Sequence, residues 1–422
     1  MKETNFKHTD IGDIPHDWNV VKLGEIGYTY NGITGKSAKD FGKGDAAYIT
    51  FLNVLNNPII DTSILESVNI AKSENQNSVK KGDLFFNTSS ETPEEVGTCA
   101  VLLEDVDNVY LNSFCFGYRL IDSNILGKYL AYYFRSKQGR SLMTKLAQGA
   151  TRYNLSKVNF NNSYISLPPS IAEQQRIATA LSQMDELISA LDEQINKKML
   201  IKQAAMQQLL TAKTRLNGFS EPWVEKKIKD IGDLSGAGVD KLSLPNETPI
   251  RLVNYLDVFH RDRIYNTELN MWVTANERKL HNCNVEQGDV FFTPSSEMPY
   301  DIAFSAVAME NMENVCYSYH IYRLRFREMI DLNYKAYMFK SQSFYNQANT
   351  ICEGSGKRYV ISLAKFREMI VTYPSSLPEQ QAIASILTAM DNEIQTLQAQ
   401  RDKYTLIKQG MMQQLLTGKI RI

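Results

Sequence analysis

The sequence has few cysteines and histidines, and none of them follows the spacing of a metal site or a disulfide framework. His281 and Cys283 lie close together but lack further ligands at zinc spacing, so we interpret both as structural. An odd number of cysteines without a Cys-x-x-Cys pair indicates a reducing compartment. The five cysteines are Cys99, Cys115, Cys283, Cys316 and Cys352.

Long apolar runs are also missing. No stretch approaches the roughly 18 consecutive apolar residues that indicate a membrane-spanning helix. The N-terminal segment is polar and charged, without the apolar core of a signal peptide. We therefore expect a cytoplasmic protein that makes no contact with a membrane.

A surplus of either charge is absent as well, because 46 Lys and Arg residues face 47 Asp and Glu residues. A nucleic-acid-binding domain usually carries a basic surplus. If this protein holds DNA, its positive charge must be local or supplied partly by a partner. The net charge of −1 also indicates weak affinity for DNA without that partner.

Complete motifs for nucleotide binding or methyl transfer are not found. Gly35-Lys36-Ser37 lacks the glycine that a phosphate-binding loop needs five positions earlier, where Tyr30 stands. We interpret this segment as a flexible polar turn whose Lys36 reaches a DNA phosphate. Residues 56–59 lack the second proline and the aromatic residue of an adenine methyltransferase loop, so we interpret them as a turn.

Glycine and proline are absent from residues 171–213. This stretch predicts one helix of about 43 residues, which would span about 64 Å at a rise of about 1.5 Å per residue. The segment occurs twice, since 24 of 44 positions are identical between residues 173–216 and 379–422. A match in one register over this length indicates an internal duplication.

Both long segments begin with the spacing of a capping box, in which the serine hydroxyl binds a backbone amide and the glutamate reaches back. These pairs are Ser170 with Glu173 and Ser376 with Glu379. Pro378 lies inside the second box, so the two helix starts need not superpose.

Apolar residues alternate by four and three along both segments, a pattern that predicts packing against a partner helix. The other copy is the nearest candidate, and two independent helices packed on their own domains are the alternative. Arg401 stands where the second seam should hold an apolar residue, which indicates that the contact weakens or changes partner there. The predicted seam consists of Ile177, Leu181, Met184, Ile188, Leu191, Ile195, Ile383, Leu387, Met390, Ile394 and Leu397.

Matched motifs extend the duplication into the globular parts. Residues 81–86 (Lys-Gly-Asp-Leu-Phe-Phe) are echoed by residues 287–292 (Gln-Gly-Asp-Val-Phe-Phe), and we interpret each as a turn that leads into a buried strand. The Tyr-Arg-Leu strings at 118–120 and 322–324 also match. Aromatic residues at helical spacing follow both strings, which is typical of a core.

The two Gly-Asp strands end in hydroxyl-rich loops that allow two interpretations. Small donors on a loop held by a rigid strand contact phosphates or base edges. Alternatively, Ser and Thr side chains satisfy themselves in local turns. The candidate DNA-binding residues here are Thr88, Ser89, Ser90, Ser295 and Ser296.

Residues 149–156 and 354–362 share a flexible glycine start, a basic residue, an aromatic residue and a final serine. We favour contact with the DNA backbone over a solvated loop, because the basic–aromatic pair occurs in both halves. The candidates are Arg152, Tyr153, Asn154, Ser156, Lys357, Arg358, Tyr359 and Ser362.

These motifs, in this order, resemble the specificity subunit of Type I restriction–modification systems, and the resemblance covers nearly the whole chain. It is carried by Leu167-Pro168-Pro169 with Glu173-Gln174-Gln175, by Leu377-Pro378 with Glu379-Gln380-Gln381, and by the Gly-Asp strands and glycine loops. It implies an α+β fold in which two mixed α/β target-recognition domains are separated by two long antiparallel helices, related by a pseudo-twofold duplication. The implied boundaries are 1–167 and 216–373 for the domains, and 168–215 and 374–422 for the spacer helices.

The resemblance also implies a non-catalytic chain that reads a bipartite, asymmetric site in double-stranded DNA. Two methyltransferase subunits and a restriction or translocase subunit would be its partners. S-adenosylmethionine, ATP and Mg²⁺ would then bind those partners and not this chain. Two alternatives remain: a stand-alone methyltransferase with a built-in reader, for which a glycine-rich cofactor loop is missing, and a DNA-independent coiled-coil adaptor.

Overall fold

The computed structural model describes residues 5–71, 73–356 and 358–422. The chain divides into two compact units, of which the first comprises Met1–Asp192 with Ala399–Ile422 and the second Glu193–Gln398. Each unit combines small sheets with helices, and the second repeats the arrangement of the first. The predicted α+β class and the duplication are confirmed.

The first unit is organised around a four-stranded antiparallel sheet whose central strand follows the first Gly-Asp turn. Its strands are β1 (Phe6–Thr9), β2 (Gly12–Pro15), β3 (Asn19–Lys22), β4 (Gly27–Asn31), β5 (Phe41–Ile49), β6 (Glu66–Val68), β7 (Leu84–Asn87), β8 (Ser89–Ser90), β9 (Cys99–Val101), β10 (Val109–Leu111), β11 (Cys115–Leu120), β12 (Ala147–Gln148), β13 (Tyr153–Leu155) and β14 (Tyr164–Leu167). The main sheet has the order β4-β11-β7-β9, and smaller sheets have the orders β10-β5-β6, β12-β13-β8, β14-β3 and β1-β2.

The second unit repeats this plan with one more strand in its main sheet. Its strands are β15 (Trp223–Lys227), β16 (Gly232–Ser235), β17 (Thr248–Val253), β18 (Arg263–Ile264), β19 (Trp272–Ala275), β20 (Asn284–Val285), β21 (Val290–Phe292), β22 (Ser295–Ser296), β23 (Ser305–Ala308), β24 (Met312–Tyr317), β25 (Tyr322–Phe326), β26 (Glu353–Ser355), β27 (Arg358–Val360) and β28 (Ile370–Pro374). The sheet orders are β16-β25-β21-β23-β18, β19-β17-β24-β20, β22-β27-β26 and β15-β28.

Short helices cover these sheets, and two helices of 39 residues follow them. The helices are α1 (Leu23–Ile26), α2 (Phe51–Asn56), α3 (Gly127–Arg135), α4 (Lys137–Leu146), α5 (Lys157–Asn161), α6 (Ile171–Leu209), α7 (Ile228–Ile231), α8 (Tyr255–Phe259), α9 (Glu277–Asn282), α10 (Leu332–Lys335), α11 (Gln342–Ile351), α12 (Leu363–Arg367) and α13 (Leu377–Leu415).

The Phe-Phe pairs explain how each main sheet holds its unit together. Successive side chains of a strand point to opposite faces of the sheet. Phe86 therefore packs in one apolar cluster of the first unit and Phe85 in another. Phe292 and Phe291 divide between two clusters of the second unit in the same way. All four rings are fully buried, which confirms the predicted buried strands.

The long helices begin at equivalent residues, Ile171 and Leu377, so Pro378 does not displace the second start. Proline is tolerated in a first helical turn, where the backbone amide has no partner within the helix. The predicted capping boxes, however, are wrong. The carboxylate of Glu173 binds the guanidinium of Arg421, and an equivalent contact is found in the second unit. A guanidinium offers a carboxylate two charge-assisted hydrogen bonds, whereas the backbone amide offers one.

Each long helix is also shorter at its C-terminal end than the glycine-free stretch suggested. Helix α6 ends at Leu209 because Ala212 adopts a left-handed conformation, with φ of 56°. The amide of Thr214 then donates to the carbonyl of Gln208 at 3.2 Å, which is the long bond of a Schellman motif. Helix α13 ends in the same way, with Gly418 at φ of 66°.

Within each unit the two long helices run antiparallel and are joined by ion pairs. In the first unit Asp185 binds Lys408, and Arg401 lies 3.2 Å from Asp192. The helix contact therefore continues through Arg401 as an ion pair, and its partner does not change there. In the second unit, Lys198 pairs with Glu393 at 2.6 Å and Lys202 pairs with Asp391.

Most of the predicted seam is buried, as a helix-pairing face requires. Met184, Ile188 and Met390 are half-buried. Near the helix starts, Ile177 and Ile383 also pack into the clusters of their own globular parts, so the seam serves both contacts. The buried members are Ile177, Leu181, Leu191, Ile195, Ile383, Leu387, Ile394 and Leu397.

Candidate nucleic-acid interface

The two Gly-Asp turns are held by a buried carboxylate. Asp83 is 1% exposed and accepts hydrogen bonds from Arg119 Nε at 2.7 Å and Nη2 at 2.6 Å. Asp289 binds Arg325 in the same bidentate geometry, at 2.8 and 2.7 Å. These bonds raise the pKa of both guanidinium groups above its usual value. The motif is therefore a structural lock that fixes the strand leading to the candidate site.

The strand register corrects one match made from the sequence. Tyr118 lies opposite Leu84, and Leu324 lies opposite Val290. Val290 stands 206 residues after Leu84, so Leu324 is the counterpart of Tyr118. The match of the first Tyr-Arg-Leu string with residues 322–324 is therefore wrong by two residues. A shift of two keeps every side chain on its own face of the sheet, so the two strings look alike.

The structure brings the hydroxyl-rich loops and the glycine hairpins together. In the first unit, β8 pairs with β13, so that Ser90 lies opposite Tyr153 and Ser89 opposite Asn154. In the second unit, β22 pairs with β27, and Ser296 lies opposite Tyr359. Segments about 60 residues apart along the chain thus form one small sheet in each unit.

Both hairpins require glycine near the end of their first strand. Gly149 has φ of 139° and Gly354 has φ of 147°, in the region that favours glycine. A Cβ atom would lie 2.1 Å from the carbonyl oxygen of Arg152 in the first hairpin and of Arg358 in the second. The tight turn presents both arginines at the surface, where they are exposed. Lys357, also predicted at this turn, lies outside the described residues.

Most of the predicted hydroxyl groups are used within the units. The Thr88 hydroxyl donates to the carbonyl of Phe114 at 2.8 Å, and Ser89 is buried. The Ser90 hydroxyl donates to the carboxylate of Glu95 at 2.7 Å and accepts the backbone amide of Thr92. The Ser296 hydroxyl likewise accepts the backbone amide two residues ahead, that of Met298. Ser295 is half-buried. The geometry thus favours self-satisfied turns for these side chains.

Ser156 and Ser362 have a local role as well. Each caps a short helix by accepting an amide, from Asn159 at 3.4 Å and from Lys365 at 3.4 Å. Asn154 remains exposed, and its side-chain amide donates to the carbonyl of Arg152 at 3.2 Å.

Lys36 is held in an ion pair and is not the free side chain of a flexible turn that the sequence predicted. Its side chain is 8% exposed, and its ammonium lies 2.5 Å from the carboxylate of Glu74. This ion pair lowers the pKa of Glu74. Lys36 would have to leave Glu74 to contact a phosphate.

The sequence analysis missed a second element beside each hairpin. The turn at 112–115 exposes the ring of Phe114, which is 55% accessible, and the turn at 318–321 exposes Tyr319, which is 46% accessible. The 206-residue offset of the duplication places one turn on the other, but the residues of the two turns do not match in the sequence.

The described residues contain no cluster of His, Cys, Asp or Glu side chains suited to a metal ion. Cys283 is buried, its thiol donates to the carbonyl of Ala237, and burial raises its pKa. In the part of the chain that the structure describes, no helix is long and apolar enough to cross a membrane.

Comparison with known proteins agrees with this duplicated architecture. The model of the Type I restriction modification DNA specificity domain matches residues 15–200 and 220–403. A Methanocaldococcus jannaschii sequence assigned to the specificity subunit of the type I restriction enzyme MjaX is 27% identical over 442 aligned positions, which cover 100% of this chain and 98% of that one. The MjaVIII specificity subunit of the same organism is 23% identical, with 100% and 97% covered.

Solved structures show the same fold. The S subunit of a Type I restriction–modification system from M. genitalium superposes with a TM-score of 0.54 at 14% identity, covering 98% of this chain and 99% of that one. A chain from a study of assembly and conformational transition of the type I system gives a TM-score of 0.59 at 15% identity, with 96% and 99% covered. The resemblance seen in the sequence is thereby confirmed, and the chain belongs to the family of Type I restriction–modification DNA specificity proteins.

Proposed function

We propose that this chain is the non-catalytic DNA-reading subunit of a Type I restriction–modification complex, and that each unit contacts one half of a bipartite site. The observation that carries this proposal is the repetition of one surface device in both units. Each unit joins a hairpin with an exposed arginine to a rigid strand that is locked by a buried Asp–Arg pair. Two copies of one reader suit two half-sites.

The hairpin arginines are suited to the DNA backbone. Guanidinium groups bind phosphate oxygens in a bidentate manner and position a protein on the duplex without reading its sequence. Arg152 lies in the turn of its hairpin and Arg358 is the first residue of β27, so little backbone entropy would be lost when they bind. The half-buried side chains of Tyr153 and Tyr359 follow them directly.

The long helices supply the surface that we assign to the methyltransferase subunits. Leu200 and Ile201 are 67% and 44% exposed, and their counterparts Leu406 and Ile407 are 67% and 40% exposed. Exposed apolar residues in a cluster mark interaction surfaces. Because the pair occurs once in each unit, two methyltransferase subunits would bind, and a restriction subunit would join them. S-adenosylmethionine, ATP and Mg²⁺ would bind those partners.

Selection of bound DNA from a random pool tests this function, with the chain co-expressed alongside its methyltransferase subunit. The expected product is a split motif with a gap of fixed length. Arg152→Ala and Arg358→Ala should each weaken binding to every sequence and reduce the salt dependence, with a slope smaller by about 1.

Two matched control variants each remove a positive charge from the main sheet of one unit, at the end of the sheet away from the hairpin. Lys81 precedes β7 and Arg327 follows β25, and their side chains are 56% and 57% exposed. Lys81→Ala and Arg327→Ala should bind DNA like the wild-type chain. If the control variants lose as much affinity as the hairpin variants, or if no split motif is enriched, the proposal is wrong.

A further inference from the structure

A surface turn occurs at equivalent positions in the two units, and neither the motifs nor the family match assigns it a role. In the first unit the turn spans residues 112–115 and joins β10 to β11, and in the second it spans residues 318–321 and joins β24 to β25. We call these two segments the tip turns. They are 206 residues apart, the same offset as the long helices.

Both tip turns are built in the same way around a buried polar side chain. Asn112 is 5% exposed, and its side-chain oxygen accepts the amide of Phe114 at 2.8 Å. Ser318 is fully buried, and its hydroxyl accepts the amide of His320 at 3.4 Å. A side chain that binds the amide two residues ahead fixes the turn locally.

A glycine that follows a strand approaches the backbone of each tip turn closely. A Cβ atom at Gly32 would lie 2.0 Å from the carbonyl oxygen of Asn112, and one at Gly238 would lie 2.2 Å from the carbonyl carbon of Ser318. Glycine is needed where two backbones approach this closely. The residue after each glycine donates its amide to the carbonyl of the residue before the turn, at 2.7 and 2.8 Å. The tip turns are therefore rigid platforms.

The side chains at the surface of these platforms differ between the two units. The first tip turn presents the exposed Ser113 and Phe114, whereas the second presents the exposed Tyr319 and the half-buried His320, whose ring centroids lie 3.8 Å apart. A phenylalanine offers only apolar contact, such as contact with the methyl group of thymine. Tyrosine and histidine add hydrogen-bond donors and acceptors. Two tip turns with the same backbone framework but different side chains are suited to recognising two different DNA sequences.

The tip turns lie next to the arginine hairpins. Thr88 donates its amide and hydroxyl to the carbonyl of Phe114, at 2.9 and 2.8 Å, and accepts the amide of Leu155 in the hairpin sheet at 2.9 Å. In the second unit Tyr322, which directly follows the tip turn, donates its hydroxyl to the carbonyl of Ile361, which directly follows β27, at 3.0 Å. Burial, and after it the charges of Lys241 and Arg358, lower the pKa of His320. An exposed aromatic tip thus stands beside a basic group suited to phosphate.

We infer that the tip turns contact the base edges of double-stranded DNA, with Phe114 setting the preference of one half-site and Tyr319 with His320 that of the other. This inference rests on the proposed function and adds the residues that distinguish the two half-sites. The hairpin arginine holds the phosphates, and the neighbouring tip enters the groove. Phe114 prefers a position with a thymine methyl group, and Tyr319 with His320 prefer a position with hydrogen-bonding edges.

The test compares the DNA selected by three forms of the complex with the methyltransferase subunit: wild type, Phe114→Ala, and Tyr319→Ala/His320→Ala. Each variant should lose base preference in one half-site only, by about 10-fold or more at the contacted position. The other half-site should stay unchanged. Tyr28→Ala and Trp272→Ala serve as controls, because these rings are 47% and 59% exposed elsewhere on the two units and should leave both half-sites intact.

Failure of this inference can be told apart from failure of the proposed function. A split motif that neither variant changes would overturn the inference alone. No split motif from the wild-type complex would overturn both. Phe114→Leu and His320→Gln exclude loss of folding as the cause, since they keep the bulk of each side chain. They should bind nonspecific DNA like the wild type and still alter the preference of one half-site, and an unaltered preference would count against the inference.

Discussion

Replacing Arg421 by alanine should destabilise the first unit by about 3 kcal/mol, because this side chain joins three separate parts of the chain. Its guanidinium binds the carboxylate of Glu173 at the start of α6, including one contact of 2.6 Å. It also binds both oxygens of Asp17 at 2.9 Å. The C-terminal segment is thereby fastened to the globular part and to the first long helix.

The size of the loss in unfolding free energy follows from how deeply each of the two carboxylates is buried. The side chain of Glu173 is 5% exposed, and Arg421 is its hydrogen-bond partner among the described residues. A buried charge that loses its partner costs about 2–3 kcal/mol, since the desolvation of the charge is no longer offset. The side chain of Asp17 is 55% exposed, so this pair adds at most about 1 kcal/mol. For a unit of this size, 3 kcal/mol corresponds to a Tm lower by about 6–12 °C.

The assay can be restricted to the first unit by tryptophan fluorescence. Of the three tryptophans, only Trp18 belongs to this unit, and it is fully buried. A background of Trp223→Phe/Trp272→Phe leaves it as the single reporter during urea unfolding. Lys419→Ala is the matched control, because this exposed residue carries the same charge in the same segment. It should change the unfolding free energy by less than about 0.5 kcal/mol.

A double-mutant cycle decides whether the ion pair is the cause. In a Glu173→Gln background the buried charge is gone, so Arg421→Ala should cost at least about 1.5 kcal/mol less than in the wild type. Equal losses in both backgrounds, or a loss no larger than that of Lys419→Ala, would refute the reasoning.

Two further predictions concern the same unit. Gly418→Ala should lower its unfolding free energy by about 1–3 kcal/mol, because φ is 66° and a Cβ atom would lie 2.3 Å from Cγ of Pro15. The equivalent Ala212 tolerates this φ, so a loss measured by urea unfolding tests the steric contact, and an unchanged midpoint would contradict it. The hydrogen bond from Arg421 lowers the pKa of Asp17, so its stabilising effect should be present above the ordinary value of 3.8 and disappear as the pH falls through the lower folded value. Wild type and Asp17→Asn should therefore differ in stability at neutral pH and converge in acid, and a constant difference would contradict the assignment.

The architecture could be predicted because its signals are local or repeated. The duplication can be recognised by aligning the two long segments, which requires no knowledge of the fold. An apolar seam on a helix of this length requires a partner helix. The Phe-Phe strands were predicted for the same reason, since alternation buries both rings only between two packed layers. The predicted start and end of each long helix agree with the structure within a few residues. The end of α6 was placed too late because the left-handed conformation of Ala212 is uncommon for a residue other than glycine.

The candidate site was less accessible to such reasoning. A serine within a loop has the same sequence whether it faces DNA or caps a helix, as Ser156 and Ser362 do. Lys36 looked free because its partner, Glu74, is 38 residues away along the chain. Phe114 was overlooked because a single exposed ring has no periodic pattern, and only its position beside the hairpin gives it meaning.

The duplication, the two long helices, the buried Gly-Asp strands and the family to which the chain is similar can all be read from the amino-acid sequence. These properties depend on periodicity, turn chemistry and repetition, which are local features of the sequence. The folded structure was needed to show that Glu173 binds Arg421 and does not cap its own helix, and that the arginine hairpin and the tip turn lie side by side. Such contacts join residues that are distant along the chain, and the folded backbone alone sets which of their side chains meet and which remain exposed to a partner.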